Sequence, residues 1–381
     1  MQAAELVFWA AIGILAYTWV VYPALIVVWG SRRWPKPEPA HDPAELPTVS
    51  LLVAAYNEAD WIEAKLRNFY ELDYPSDRLE LLIGSDASDD GTDDRVRALA
   101  EGRVRLIRMP CRVGKPSVLN RLAAEARGDI LVLSDANTRF DRHAVRHLVA
   151  PFADPRVAVV SGRLELREAG SGESRYWRYE TAIKRAEGRL GVLVGAVGGI
   201  YAVRRSCFEP LPPHTLVDDF VVAMRNLDRG YEVRFAEAAV AYEESCPTLA
   251  AEMVRKVRIA ARNSQALGWF WRLLLPWKGK RALVFWSHKV LRWLTPFLLL
   301  AMFVASVALC TEPGYAGVLL AQVGFYALAG WGQRAHAARG RLAAIAHLAG
   351  YMLATQGALV AGLFRLMRGT QKVTWERGRR G

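Results

Sequence analysis

The sequence has 381 residues, enough for one large domain or two small ones, and 52% of the residues are hydrophobic. The apolar residues concentrate at the two ends of the chain, which argues against a wholly soluble protein, while the middle resembles an ordinary globular domain. A formal net charge of +12 is typical of nucleic-acid-binding proteins, but the basic residues stand beside apolar and Trp-rich stretches. This placement favours membrane lipid over nucleic acid as the partner.

The first element is an apolar stretch, Val7 to Trp29, that contains no charged residue. Since about 20 apolar residues cross the hydrocarbon core of a bilayer, it predicts a membrane-spanning helix; a buried core helix is the alternative. Arg32, Arg33 and Lys36 follow it, whereas a signal peptide carries its basic residues in front. Because Lys and Arg accumulate on the cytoplasmic side, residues 1–35 are predicted to be an uncleaved anchor that ends in the cytoplasm.

Between the apolar ends, short β-rich runs alternate with helical stretches. This alternation predicts a cytoplasmic α/β domain over residues 46–248, with a mainly parallel sheet covered by helices on both faces. The predicted strands are Thr48–Ala55, Leu79–Ser85, Val104–Arg108 and Ile130–Ser134. The predicted helices are Ala59–Tyr70, one that begins near Thr92, and Pro116–Ala126, which starts with a proline.

Polar motifs follow three of these strands, at the ends where parallel sheets bind ligands. They are Ala55-Tyr56-Asn57-Glu58, residues 85–92 (Ser-Asp-Ala-Ser-Asp-Asp-Gly-Thr) and Ser134-Asp135-Ala136-Asn137. Each alone is equally typical of a turn or a helix cap. Together they concentrate negative charge, which a divalent metal ion carrying a diphosphate would compensate. Asp135 and Asn137 offer the hard oxygen ligands that suit Mg²⁺ or Mn²⁺.

Residues 112–116, Arg-Val-Gly-Lys-Pro, lie between a predicted strand and a predicted helix. Lys115 therefore stands at a helix N-terminus, where backbone N–H groups and the helix dipole favour a phosphate. The glycine spacing and the Pro116 that follows the lysine distinguish this turn from a P-loop. A solvated basic turn is the alternative interpretation.

After the α/β domain, basic residues and tryptophans intermingle over residues 249–292, which predicts amphipathic helices at the membrane interface. Residues 293–381 form a predicted membrane region with a basic tail. Its apolar stretches are Trp293–Cys310, Tyr315–Trp331 and Leu342–Phe364. If all three stretches cross the membrane, the basic tail lies outside the cell, against the usual distribution of Lys and Arg. The number of spans in this region is therefore left at two or three.

In their order along the chain, the motifs resemble those of glycosyltransferase family 2 enzymes of the GT-A fold. The resemblance covers roughly Pro47 to Asn263 and is greatest to the membrane-embedded branch with cellulose, hyaluronan and poly-N-acetylglucosamine synthases. It implies that Ala55, Tyr56 and Glu58 lie at the nucleotide base. It also implies that Asp86 contacts the nucleotide and that Lys115 contacts the donor.

The same resemblance implies where the metal ion and the catalytic base lie. Asp135-Ala136-Asn137 stands where the family has Asp-x-Asp, so the metal site has one negative charge fewer than in relatives. Val217-Asp218-Asp219 resembles Thr-Glu-Asp, which assigns the base to Asp219, or to Asp218 if the register shifts. Capping of a helix by these two acidic residues is the alternative.

Two further segments carry the resemblance. Gly198 and Gly199 are similar to the small-residue floor that the acceptor sugar approaches, although a Gly-rich turn without a substrate is the alternative. Arg255-Lys256-Val257-Arg258-Ile259 takes the place of Gln-x-x-Arg-Trp. Arg258 keeps the cation that could hold the leaving diphosphate, but Ile259 replaces the tryptophan linked with processive synthesis.

The resemblance therefore implies an inverting glycosyltransferase in the plasma (inner) membrane, multi-pass, with its catalytic domain in the cytoplasm. It would move a sugar from a nucleotide-sugar, expected to be a UDP-sugar, to a lipid-linked or glycan acceptor in envelope or exopolysaccharide synthesis. Asp219 would act as general base, and the metal ion with Arg258 would stabilise the leaving group. The alternatives are a processive polysaccharide synthase, a nucleotidyltransferase and a non-catalytic membrane scaffold.

Overall fold

The computed structural model describes residues 1–32, 46–167, 171–244, 257–261, 265–334 and 340–368. Its strands are β1 (Val49–Ala55), β2 (Leu79–Ser85), β3 (Val104–Arg108), β4 (Ile130–Asp135), β5 (Arg139–Phe140), β6 (Val157–Arg167), β7 (Tyr201–Arg204) and β8 (Glu232–Glu244). Its helices are α1 (Gln2–Ala16), α2 (Tyr22–Ser31), α3 (Ala59–Tyr70), α4 (Thr92–Leu99), α5 (Lys115–Glu125), α6 (Ala144–Val149), α7 (Ser171–Arg189), α8 (Asp218–Asp228), α9 (Lys280–Phe285), α10 (Leu291–Ala308), α11 (Pro313–Arg334) and α12 (Arg341–Met367).

The strands form an eight-stranded sheet in the order β3-β2-β1-β4-β7-β6-β8-β5. β1 to β4 pair in parallel, as the alternating pattern predicts, and the predicted strand and helix bounds agree with the structure to within about one residue. β7 runs antiparallel between β4 and β6, so the second half of the sheet is mixed. The predicted α/β fold with a predominantly parallel sheet is confirmed.

Every residue of β1 is buried, because helices cover both faces of the sheet. Leucines of β1, β2 and β4 pack with α5 in one core, and branched residues of the same strands pack with α3 in the other. Complete burial of each such side chain is worth about 1.5–3 kcal/mol. The two cores hold the strands in register, so that Ala55 pairs with Ser85 and Ala54 with Asp135. The three polar motifs therefore meet at one edge of the sheet.

Among the described residues, three helices are long and apolar enough to cross a membrane. They are Gln2–Ser31, in which a π turn joins α1 to α2; Lys280–Ala308, in which a π turn joins α9 to α10; and Arg341–Met367, which is α12. The predicted apolar stretch Tyr315–Trp331 lies in α11, between the second and the third of these helices. The expectation of membrane-type helices at both ends of the chain is confirmed. The helix that begins at Lys280 crosses the predicted boundary between the interfacial and membrane regions at residue 292.

The N-terminal helix packs against both the second membrane helix and the α/β domain. Tyr17 Oη lies 2.8 Å from Ser287 Oγ, and Trp19 donates to Thr295 Oγ1 over 3.2 Å. At Gly30, an added Cβ would lie 2.7 Å from the Cα of Ala186, so only glycine allows α2 to approach α7 this closely. The N-terminal helix is therefore fixed both to α7 of the globular domain and to the helix Lys280–Ala308.

Candidate active site

The first two polar motifs are joined through Asp86. The backbone N–H of Asp86 donates to Ala55 O over 2.8 Å. Its carboxylate is completely buried and accepts hydrogen bonds from the backbone N–H groups of Val113 (2.7 Å) and Gly114 (3.0 Å). Charged acceptors make the stronger class of hydrogen bond. Asp86 therefore fixes the loop that leads to Lys115, a role that the sequence did not indicate.

Tyr56 and Glu58 lie in the turn between β1 and α3. The guanidinium of Arg112 stacks 3.8 Å above the Tyr56 ring, a cation–π contact that sequence reasoning missed because 56 positions separate the two residues. The backbone N–H of Glu58 donates to Thr92 Oγ1 over 2.9 Å, which ties this turn to the start of α4. The turn thus presents a flat aromatic and cationic surface at the sheet edge, suited to a planar base.

Lys115 is the centre of the site. Its ammonium lies 2.8 Å from Asp135 Oδ1 at the end of β4 and 3.2 Å from Asp218 Oδ1 at the start of α8. Burial lowers the pKa of Lys115, but Asp135, Asp218 and Asp219 outweigh it and hold that pKa well above its usual value. The side chain is therefore a permanent cation. We call Lys115, Asp135, Asp218 and Asp219 the donor-side cluster.

Asp135 and Asn137 were predicted to hold a metal ion. The Asp135 side chain is 40% exposed, and the Asn137 amide donates to Glu243 Oε1 over 3.2 Å. Within the described part of the chain, no group of three or more His, Cys, Asp or Glu side chains could coordinate a metal by itself. The carboxylate and amide oxygens present are hard ligands that fit Mg²⁺ or Mn²⁺, provided that a diphosphate and water complete the shell. Glu243, which sequence reasoning set aside, supports this site.

Lys65 supports the same loop from beneath. Its buried ammonium donates to Ser134 Oγ and to Thr138 O, each over 2.7 Å, on either side of the two predicted metal ligands. Burial lowers the pKa of Lys65 to about 7, although Asp135 opposes the shift. A lysine inside a helix carries no sequence signal for such a role, and the prediction missed it.

The two acidic residues at the start of α8 have different surroundings. Asp218 is buried, accepts a hydrogen bond from Tyr201 Oη over 3.0 Å and pairs with Lys115. Burial and the nearby carboxylates raise the pKa of Tyr201 well above its usual value, so the phenol stays a donor. Asp219 faces Gly198, where an added Cβ would lie 3.2 Å from Asp219 Oδ2. Of the two, Asp219 has the surroundings of a base that meets a substrate.

The glycines predicted to form the acceptor floor stand beside Asp219. An added Cβ on Gly199 would lie 3.2 Å from Thr138 Oγ1, which follows the predicted metal ligand Asn137. Gly198 and Gly199 therefore lie between the loop after β4 and Asp219. Any side chain here would narrow the space in front of the Asp219 carboxylate.

Arg258 lies on a short helical segment, residues 257–261, that packs against the last membrane helix. An added Cβ on Gly362 of α12 would lie 2.6 Å from Ala261 N and 2.7 Å from Val257 O. Ile259, which replaces the expected tryptophan, is 39% exposed. The other predicted basic residues of this motif, 255 and 256, lie outside the described residues. The role of Arg258 stays a prediction.

The predicted base adjoins one of the long apolar helices. Phe220 follows Asp219, and its ring centroid lies 6.3 Å from those of Phe285 and Trp293 on the helix Lys280–Ala308. Such distances are typical of packed aromatic pairs. An α/β sheet with an acidic, lysine-centred edge beside long apolar helices agrees with the GT-A glycosyltransferase class that the motif order implies.

Comparisons with known proteins agree with this class. Residues 50–211 match the model of the family described as glycosyl transferase family 2. "Probable glycosyltransferase YdaM" of Bacillus subtilis (strain 168) is 30% identical over 253 residues, 62% of this chain and 60% of that protein. Poly-β-1,6-N-acetyl-D-glucosamine synthase of Staphylococcus aureus (strain MSSA476) is 26% identical over 58% of this chain and 56% of that one. The matches thus span less than two thirds of the length of these curated relatives.

A solved structure is similar over almost the entire chain. It is the mannosyltransferase PcManGT from Pyrobaculum calidifontis in complex with GDP-Man and Mn²⁺, with a TM-score of 0.73 and 25% sequence identity. The similarity covers 95% of this chain and 99% of that one. Residues 50–211 thus match glycosyltransferase family 2, and the chain has the GT-A fold.

Proposed function

We propose that this protein is an inverting glycosyltransferase that moves a sugar from a nucleotide-sugar to a lipid-linked or glycan acceptor at the membrane surface. One arrangement carries the proposal: Lys115 joins Asp135 to Asp218, and the adjacent Asp219 faces the glycine floor while its neighbour Phe220 packs on a membrane helix. The charges proposed to bind the donor, the proposed base and a proposed membrane helix therefore lie next to one another.

The proposed reaction is a single displacement at the anomeric carbon. The acceptor oxygen bonds to this carbon as the bond to the nucleoside diphosphate breaks, and Asp219 takes the acceptor proton. Lys115 neutralises the leaving diphosphate, with Arg258 as a second proposed cation. Asp218, held by Tyr201 and Lys115, keeps the lysine charged and in place. A divalent metal ion held by Asp135 and Asn137 would neutralise further diphosphate charge.

The donor is proposed to be a sugar linked to a nucleoside diphosphate. The family resemblance favours UDP, whereas the structurally similar mannosyltransferase was solved with GDP-Man. The Tyr56–Arg112 surface suits either base by stacking. The test is a screen of UDP- and GDP-sugars in membranes that contain the protein, with release of UDP or GDP as the readout. Release of pyrophosphate instead would identify a nucleotidyltransferase.

A processive synthase is the second candidate, because relatives include poly-β-1,6-N-acetyl-D-glucosamine synthases. Against it, Ile259 stands where those synthases are expected to have tryptophan, and an aliphatic side chain provides a poorer stacking surface for a sugar ring. We therefore propose transfer of one or a few sugars. The length of the glycan product, measured with one labelled donor, decides between a processive synthase and a transferase of one or a few sugars. Long products would overturn this preference.

The proposed location is the plasma (inner) membrane, multi-pass, with the catalytic domain in the cytoplasm. Arg32, directly after the first membrane helix, and the further basic residues that follow it support this side. The orientation is tested by labelling with an impermeant reagent a cysteine introduced at Asp94, which is exposed on α4, in a protein whose four native cysteines are replaced by serine, because Cys111 and Cys310 are themselves exposed. Labelling in inside-out vesicles alone is expected, and labelling of intact cells would contradict it.

A further inference from the structure

A loop between α7 and β7, residues 190–200, carries the two glycines of the predicted acceptor floor. We call it the acceptor loop. Glu187, in the last turn of α7, lies directly before it and is completely buried. Its carboxylate accepts a hydrogen bond from the backbone N–H of Val194 over 3.4 Å, and its carbonyl oxygen accepts one from the N–H of Val192 over 3.0 Å. Glu187 therefore holds the first half of the acceptor loop by both its side chain and its backbone.

The other oxygen of this carboxylate faces two of the long apolar helices. Glu187 Oε1 accepts a hydrogen bond from Tyr22 Oη over 2.7 Å and lies 2.6 Å from His288 Nδ1. Tyr22 belongs to the first of the three long apolar helices and His288 to the second, and both side chains are buried. Because an ionised carboxylate only accepts hydrogen bonds, the imidazole donates here as well, and the two donors turn Oε2 toward Val194. One side chain thus joins two apolar helices to the acceptor loop.

The middle of the acceptor loop contacts the residue that follows the proposed base. Gly195 has a φ angle of +88°, and an added Cβ there would lie 2.7 Å from Cδ2 of Phe220, the neighbour of Asp219. Since protein interiors are close-packed, a displaced Val194 moves the part of the loop that packs on Phe220. Gly198, which faces Asp219, lies three residues further along. The position of Val194 therefore affects the space in front of the base.

We propose that Glu187 is a positioning residue that holds the acceptor loop in front of Asp219 and ties the place of this loop to the packing of the two apolar helices. This role rests on the proposed transferase function, because it concerns the acceptor side of the same site. A buried carboxylate suits it, since hydrogen bonds to a charged acceptor are the stronger class. Being completely buried, Glu187 acts through the loop rather than on the substrate. A displacement of about 1 Å near a reacting group can cost about 100-fold in rate.

The carboxylate is tested with two matched variants on α7. Glu187→Gln keeps the length of the side chain, but its NH₂ group cannot accept the hydrogen bonds that a carboxylate oxygen accepts. Glu180→Gln is the control, because Glu180 pairs with His288 and Arg292 of the same apolar helix but lies about two turns farther from the acceptor loop. Both variants disturb the contact between α7 and that helix, whereas the contact with Val194 is changed by Glu187→Gln.

The first readout is hydrogen–deuterium exchange of the full-length protein in detergent, without donor. Loss of a buried hydrogen bond to a charged acceptor predicts about tenfold faster exchange in the acceptor loop of Glu187→Gln, with β1 to β4 unchanged. The second readout is the rate of UDP or GDP release in membranes over a range of donor concentrations, divided by the number of nucleotide-binding sites. We expect kcat per site to fall about tenfold while the donor KM stays near wild type. Glu180→Gln should keep both the exchange rates of the loop and kcat per site.

A second pair of variants is milder and keeps the proposal testable if the glutamine variants do not fold. Tyr22→Phe removes one donor to Glu187, whereas Tyr179→Phe removes the hydroxyl that donates to Trp19 O over 3.0 Å. Both delete a phenol hydroxyl between α7 and the first apolar helix, but Tyr22→Phe is the one that affects Glu187. We expect about threefold faster exchange in the acceptor loop and about threefold lower kcat per site for Tyr22→Phe, and wild-type values for Tyr179→Phe.

Wild-type exchange rates in the acceptor loop of Glu187→Gln would overturn the proposal. An equal loss of kcat per site in Glu180→Gln, or equal effects of Tyr22→Phe and Tyr179→Phe, would also overturn it, because these contacts would then only hold the helices together. Since the exchange is measured without donor, it does not depend on catalysis. A wild-type protein that releases neither UDP nor GDP from any nucleotide-sugar would contradict the transferase proposal, and the exchange rates would still decide whether Glu187 holds the loop.

Discussion

The donor-side cluster contrasts with a second group of buried charges, Glu180, Glu187, His288 and Arg292, which we call the membrane junction. The two groups meet at Asp219, because its neighbour Phe220 packs against the helix that carries His288 and Arg292. In the donor-side cluster, one lysine faces three carboxylates, whereas the carboxylates of the membrane junction each have a close basic partner. A site with surplus negative charge binds a cation readily. The difference teaches that similar residue types prepare one group for a metal–diphosphate and use the other to hold two helices together.

The largest effect is expected from Asp219, where the two sides meet. Asp219→Asn removes the base but keeps the shape, so turnover should fall about 10²–10⁴-fold with nucleotide binding retained. The measurement is release of UDP or GDP in the presence of acceptor, with isothermal titration for binding. Asp228→Asn, at the other end of α8, is the control and should remain active. Normal turnover of Asp219→Asn would show that Asp219 is not the base, and the two groups of charges would then not meet at the reacting centre.

The donor side is expected to depend on a divalent cation. A chelator should abolish transfer and Mn²⁺ should restore it, and Asp135→Asn should raise the Mn²⁺ concentration needed by about tenfold or more. The physical reason is the lost carboxylate, which is both the metal ligand and the partner of Lys115. Activity is measured against Mn²⁺ concentration for both proteins. Coincident curves for the two proteins would show that Asp135 is not a metal ligand and acts only as the ion-pair partner of Lys115.

A smaller effect is expected from the last membrane helix. Gly362→Leu would push α12 away from the segment that carries Arg258, because an added Cβ already meets its backbone. We expect kcat to fall about tenfold with the donor KM nearly unchanged, since a shift of about 1 Å misplaces a catalytic group. Gly357→Leu is the matched control on the same helix, with no atom within 4 Å of its added Cβ. An equal loss of kcat in both variants would show that leucine disturbs the insertion of α12 in the membrane rather than the position of Arg258.

Much of the donor side could be predicted from sequence because its parts lie in short runs at strand ends. Ala55, Asp86 and Asp135 follow apolar strands whose parallel pairing must place them at one edge. The membrane junction could not be predicted in this way. Glu187 and His288 are 101 positions apart, and neither lies in a motif. Helix packing alone brings them together, and packing of distant helices leaves no local pattern in the chain.

The same limit applies to the side chains that hold the predicted residues in place. The predicted nucleotide contact of Asp86 stays a prediction, and the structure adds that its buried carboxylate holds the loop before Lys115. Arg112 and Glu243 touch predicted residues, but only the fold reveals these contacts. The motif order indicated which loops matter, while the division of roles between Asp218 and Asp219 depended on burial and on Tyr201.

The last prediction concerns stability rather than activity, and it lies at Lys65, which contacts the loop of the predicted metal ligands. Its pKa is about 7 in the folded protein and 10.5 without burial, so between these pH values the unfolded chain binds one proton more. The free energy of unfolding should therefore rise with pH across this window; the contribution is complete above about 10.5 and is lost as the pH falls to about 7. Lys65→Met removes the titrating group and should flatten the rise, measured by denaturant unfolding in detergent at constant ionic strength. Parallel pH curves for the two proteins would mean that Lys65 stays charged in the folded protein. Its positive charge would then offset part of the surplus negative charge of the donor-side cluster.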